Sequence, residues 1–280
     1  MWTQHTIETT RGMFEYFTKG EGEPLAITHF FSQFNERGNL FANPFTAHYE
    51  VFLINVRGAG NSCAVTEDAQ MNFPEIIKDL EAIRVALGFE KWAFAGHSTG
   101  GMLALQYAIL APQSLTKIIA GSTAASKEYA SHPDSMYCAD NANFPRIIEI
   151  MELLNNTATT VEERQKLGLE WSLMSYYDEE KLQLALSLPN SGKTVGRALD
   201  YFRKIEVKNY DVRNELKNVT IPSYIFGGRY DAQCPIEFTY EIAQLMPHAH
   251  VTVFEKSNHH PYIEELENYE VLVKETLDDV

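Results

Sequence analysis

The apolar positions fall into two alternating textures. Short apolar runs, Leu25 to Thr28, Val51 to Ile54, Trp92 to Ala95, Ile118 to Ala120, Ile221 to Phe226 and Val251 to Phe254, predict strands, and the continuous run Val51 to Ile54 predicts one buried on both faces. Between them lie helical periods. Phe73, Ile76, Ile77, Leu80, Ile83 and Leu87 make one stripe opposite Glu75, Lys78, Glu81 and Arg84, with Asn72 placed to cap it, Pro74 in its first turn and Gly88 past its end. Met102 to Ala111 is apolar nearly all round, which predicts an interior helix stopped by Pro112. Thr6 to Thr10 and Met13 to Phe17 flank Arg11-Gly12 as a hairpin.

After about residue 124 the alternation gives way to helical segments alone. Pro145 opens one, the capping-box pattern Thr160-Val161-Glu162-Glu163 a second, Asp178 a third, and Thr194 to Ile205 forms a fourth. Strand and helix then resume, with helices expected over Ile236 to Leu245 and over residues 262–277. Alternating strands and helices predict an α/β fold with a mostly parallel central sheet flanked by helices. The expected organisation is a core domain made of residues 1–124 and 208–280, with an all-helical cap, 125–207, inserted as a lid beyond the carboxyl ends of the strands.

Charge and cysteines narrow the function. The 280 residues carry 23 Lys and Arg against 38 Asp and Glu, a formal charge of −15. Such a surface repels phosphate backbones and anionic lipid, so neither nucleic acid nor membrane is an expected partner. Cys63, Cys138 and Cys234 are scattered and odd in number, which fits neither a disulfide framework nor a metal site. No apolar run approaches the roughly 18 residues of a membrane span. The N-terminus has no signal-peptide pattern, so the cytoplasm is the expected compartment.

The chemistry concentrates in Gly96-His97-Ser98-Thr99-Gly100, a G-x-S-x-G motif between a buried strand and an apolar helix. Small residues two places either side of Ser98 permit the sharp strand-to-helix turn that presents a nucleophile. A serine hydroxyl needs a general base, itself oriented by an acid. Two candidates follow in chain order: Asp231, just past the strand Ile221 to Phe226 and a Gly-Gly turn, and His259, in the loop after Val251 to Phe254. Glu237, Glu255 and Asp211 are the rival acids and His260 the rival base.

Four segments, Arg57-Gly58-Ala59-Gly60-Asn61-Ser62, Gly96 to Gly101, Phe226 to Asp231 with Pro235, and Ser257-Asn258-His259 with Pro261, resemble the α/β-hydrolase family in its helical-cap branch, which includes proline iminopeptidase-like and carboxylesterase-like members. The resemblance implies Ser98 as nucleophile, Asp231 as orienting acid and His259, two residues after Ser257, as base. It implies an oxyanion hole from the backbone N–H of Thr99 and of Phe31, with Phe30 as fallback. The family's usual His-Gly is here His29-Phe30. Asn55 stands where the family often has Asp. No metal or organic cofactor is implied.

The implied activity is hydrolysis of a small-molecule carboxylic ester or related acyl substrate through an acyl-enzyme. Two alternatives stand beside it. One is a proline iminopeptidase-like aminopeptidase binding a free amino terminus through cap acids. The other is a hydrolase-like binding protein with little turnover. The elbow lacks the Trp that the peptidases usually carry after the Ser. Two or three of the aromatics Tyr129, Tyr137, Phe144, Trp171, Tyr176, Tyr177, Tyr201 and Phe202 are expected to face substrate.

Overall fold

The computed structural model describes residues 1–277. Its main sheet has eight strands: β1 (Thr3–Thr9), β2 (Gly12–Lys19), β3 (Glu23–Ile27), β5 (Tyr49–Ile54), β6 (Trp92–His97), β7 (Leu115–Gly121), β9 (Ser223–Gly228) and β10 (Ala249–Phe254). Two short strands, β4 (Ser32–Gln33) and β8 (Lys193–Thr194), stand outside it. The order in the main sheet is β1-β2-β5-β3-β6-β7-β9-β10. β1 and β2 form the antiparallel hairpin, β2 meets β5 antiparallel, and every other pairing in this sheet is parallel. The inner apolar runs are buried on both faces because helices cover both, whereas the edge strand β10 leaves Val251 exposed. One core lies under α1 (Phe73–Ala86) and α2 (Thr99–Leu110), the other under Leu266–Glu275 and the 40s loop.

Chain order reverses between β3 and β6, the point at which open α/β sheets form their ligand crevice. The loops after β3, β6, β9 and β10 all leave the carboxyl edge, so His29, Ser98, Asp231 and His259 start from one rim.

Local signals in the sequence have their expected partners. Asn72 Oδ1 accepts the Glu75 N–H at 2.7 Å, and Thr160 and Glu163 form the reciprocal capping box. The insertion holds helices over Phe144–Asn155, Val161–Leu173, Glu179–Ser187 and Gly196–Tyr201.

Two elements differ from expectation. The insertion is not wholly helical: β8 pairs antiparallel with β4, tying it to the loop after β3. Two residues carry no readable alternation, so nothing in the pattern marks them. The final helix is broken into Pro261–Glu264 and Leu266–Glu275, because Glu265 leaves helical geometry (φ −130°, ψ 54°) while its carboxylate accepts from Lys256 N and Ser257 Oγ.

Candidate active site

Ser98 sits between β6 and α2 with φ 57° and ψ −121°, a conformation costly for any residue with a Cβ. Strain of this kind persists only where the surroundings over-determine it. The Ser98 N–H donates to Gly121 O at 3.0 Å, its carbonyl accepts from Gly101 and Met102, and Thr123 Oγ1 donates to the same oxygen at 2.8 Å. The flanking glycines are required by contact. A Cβ on Gly96 would lie 1.9 Å from Gly100 O, and one on Gly100 would lie 2.6 Å from Thr28 O.

Asp231 and His259 are both buried and meet directly. His259 Nδ1 lies 2.9 Å from both carboxylate oxygens of Asp231. Asp231 Oδ1 also accepts the N–H groups of Gln233 (2.9 Å) and Cys234 (2.8 Å), so this carboxylate is fixed by backbone donors. The two loops pass so closely that a Cβ on Gly228 would lie 1.9 Å from Asn258 O, which explains the glycine turn before Asp231. Ser98 and His259 both line one cavity of about 970 Å³. Among the described residues the Ser98 hydroxyl has no hydrogen-bond partner. A catalytic Ser–His hydrogen bond is commonly long before substrate binds.

Four imidazoles crowd this rim, and their surroundings separate them. Burial, helped by the neighbouring His259, pushes His29 down to about 3, and holds His97 and His260 well below the usual histidine range. These three are neutral. His97 Nε2 bonds His259 O at 2.6 Å, His260 Nδ1 bonds Tyr262 Oη at 2.8 Å, and His29 Nε2 bonds Thr99 Oγ1 at 2.8 Å. Only His259 of the four has a carboxylate on its ring. The rival acids lie elsewhere. Glu255 pairs with Arg229, Asp211 with Arg213, and Glu237 is exposed beside His132 and Asp134. Burial raises the Cys234 thiol well above its ordinary range, so it is a packed thiol on the cavity wall.

The Thr99 and Phe30 amides have no hydrogen-bond partner among the described residues, whereas the Phe31 N–H makes a long bond of 3.4 Å to His29 Nδ1. The loop carrying Phe30 and Phe31 is anchored by Asn55. Its Oδ1 accepts the Phe34 N–H at 2.7 Å, and its Nδ2 donates to Phe34 O and to Glu15. The neighbouring Glu15 carboxylate explains the amide. An Asp would set two carboxylates against each other in a buried site.

Of the eight insertion aromatics, five line the cavity: Tyr129, Tyr137, Phe144, Trp171 and Phe202. None of its lining residues is Asp or Glu.

Sequence reasoning missed the residues that join insertion to core. Ser175 O accepts the His259 N–H at 3.2 Å, and Ser175 Oγ accepts from Gln233 Nε2 at 2.9 Å. Glu264 is buried, and its carboxylate accepts the N–H groups of Asn258 (2.9 Å), His260 (3.2 Å) and Tyr177. No local spacing could have found these contacts, which exist only because distant loops converge.

Burial raises the Glu264 pKa from 4.5 to about 7, outweighing the three backbone donors that lower it. Between those values the folded protein holds a proton that the unfolded chain has released. Stability from this group is therefore full below about 4.5 and is lost as pH rises toward 7, on the order of 3 kcal/mol across the window. The expected result is that the melting temperature of wild type, relative to Glu264→Gln, declines from pH 4.5 to 7. A difference that stays constant with pH would contradict this account of the carboxylate.

Comparison with known proteins is consistent in fold and divided in name. Residues 30–266 match the sequence profile described as alpha/beta hydrolase fold. The chain is similar to a solved alpha/beta fold family hydrolase from Bacillus anthracis str. Sterne, at TM-score 0.97 and 58% identity over 99% of each chain. A proline iminopeptidase from Heyndrickxia coagulans is 25% identical over 304 residues and 100% of both chains. A pimeloyl-[acyl-carrier protein] methyl ester esterase from Aliivibrio salmonicida (strain LFI1238) is 24% identical over 251 residues and 88% of both.

Proposed function

The chain belongs to the alpha/beta hydrolase fold family, and from that premise we propose that it is a serine esterase acting on small-molecule carboxylic esters. Ser98 attacks the acyl carbon as His259 Nε2 takes its proton. Asp231 holds the other ring nitrogen and stabilises the imidazolium. The tetrahedral oxyanion is held by the Thr99 amide at the N-terminus of α2 and by an amide of the loop after β3, Phe31 or Phe30. Expulsion of the alcohol takes the proton back from His259. Water, deprotonated by the same imidazole, then cleaves the acyl-enzyme. Residues 125–207 act in this reading as a lid over the serine.

One observation favours the ester over an aminoacyl amide with a free amino terminus: among the described residues no carboxylate lines the cavity. A buried ammonium needs an opposite charge or a full set of acceptors. The acids of the insertion serve other ends. Glu149 and Glu170 pair with Arg146, Glu163 caps its helix, and Glu152, Glu162, Glu179 and Glu180 are exposed. The iminopeptidase name among the relatives supports the second reading only through overall similarity.

The test sets 4-nitrophenyl butyrate against prolyl-4-nitroanilide. The expected result is sustained turnover of the ester, with an acyl adduct on Ser98 detectable by mass spectrometry. Proline release is expected at least about 100-fold slower in kcat/KM, the penalty for a buried unpaired charge. Faster proline release would establish the peptidase instead. Binding of the ester without product would establish the binding protein.

A further inference from the structure

The same cavity carries an unspent charge. Among the described residues its wall includes two cations, Arg203 and the exposed Lys193, and no anion, in a protein of net charge −15. Arg203 is half-buried, and its guanidinium lies over the Trp171 ring, 5.9 Å from the centroid. Among the described residues it makes no ion pair and no hydrogen bond. A half-buried arginine facing a cavity without a protein partner is unusual, because its five N–H donors otherwise remain poorly satisfied by the protein.

The nearest acids in sequence are committed elsewhere. Asp200, three residues before, pairs with Lys204 at 2.9 Å. Glu206, three residues after, turns away and accepts the Phe73 N–H at 3.0 Å. Arg203 also belongs to a π-helical turn, Phe202–Glu206, a local irregularity found mostly at functional positions. That turn directs Phe202 and Arg203, adjacent in sequence, to the same cavity. The planar guanidinium, held against an indole, matches a carboxylate through two parallel hydrogen bonds.

We propose that Arg203 makes this cavity a receptor for esters that carry a free carboxylate remote from the scissile bond. The proposal rests on the esterase reading above and narrows it to anionic substrates. Arg203 takes no part in bond making: the acyl carbon–oxygen ester bond still breaks, water is still added, and the products are an acid and an alcohol. Its role is specificity. It holds the far end of the substrate beside the aromatic wall made by Trp171, Tyr129 and Tyr137.

Two substrate pairs test it, one for each end of the ester. Mono-4-nitrophenyl glutarate is compared with 4-nitrophenyl valerate, and 4-carboxyphenyl butyrate with phenyl butyrate. Wild type is expected to favour the acidic member of at least one pair by about 10- to 100-fold in kcat/KM, mostly through KM, the range of a charge-assisted contact. In Arg203→Gln that ratio falls toward one, and Arg203→Lys restores part of it. No preference in either pair, or a preference that survives Arg203→Gln, overturns the proposal. A second measurement does not depend on turnover. Glutarate binding to the Ser98→Ala protein, by calorimetry, is expected and should weaken about 10-fold or more when Arg203→Gln is added. Glutarate binding that depends on Arg203 in a protein with no esterase activity would keep the anion site and discard the hydrolase. Ester turnover with no Arg203 dependence would do the reverse.

Discussion

Replacing Ser98 with alanine is expected to lower kcat for ester hydrolysis by about 10⁶-fold, the loss found when one member of a serine–histidine unit is removed. The fold should survive. Among the described residues the hydroxyl makes no hydrogen bond, so no partner is orphaned, and an alanine at this position would inherit the same φ of 57° without new contacts. The expected change in stability is within about 0.5 kcal/mol. Steady-state kinetics on 4-nitrophenyl butyrate and a thermal melt read the two quantities separately. Activity within tenfold of wild type would remove Ser98 from the mechanism. Lost activity together with a collapsed melt would mean that the elbow, rather than the nucleophile, had been tested.

His259→Ala should cost a comparable factor, about 10⁶-fold, since base and nucleophile act as one unit. The informative control is its neighbour. His260 has no carboxylate on its ring; it bonds Tyr262 and packs against Tyr176, with ring centroids 4.5 Å apart. His260→Ala is therefore expected to lower stability by about 2 kcal/mol through lost packing and a lost hydrogen bond, with most of kcat retained in the folded fraction. The reverse pattern, activity kept by His259→Ala and lost by His260→Ala, would assign the base to the other imidazole. The physical ground for choosing His259 is its bond to Asp231. A ring must be able to take up a proton to serve as base, and the other three rings are held neutral by burial without an acid to offset it.

The legible features were those fixed by short-range sterics or by chain order. The elbow announces itself because Gly96 and Gly100 cannot be larger. Helix starts at Asn72, Thr160 and Asp178 announce themselves because one side chain answers one orphan amide. Loops after parallel strands must share an edge, so placing Ser98, Asp231 and His259 after strands already implied that they start from one rim. What stayed hidden depends on packing between distant segments. Arg203 is one more cation in a helical stretch until the cavity is seen to have no acid among its described lining residues. Glu264 falls within the expected last helix with nothing in the pattern to set it apart, yet it is buried and accepts from the His259 loop. The break at Glu265 and the two-residue β8 fall below any periodic signal, and their causes are side-chain and backbone bonds to residues outside their own segments.

The bonds from Ser175 to the loops of Asp231 and His259, and from Tyr177 to Glu264, have a consequence for how such enzymes diversify. Exchanging residues 125–207 for the corresponding stretch of a relative would import a new chamber. It would also strip the imidazole of a carbonyl that steadies its backbone. Pocket and proton relay are thus fastened by shared stitches, so selection for a different ligand must also repair the machinery beneath it. Chimeras that exchange only the stretch after residue 177, keeping the native seam, should retain turnover that chimeras exchanging all of 125–207 lose.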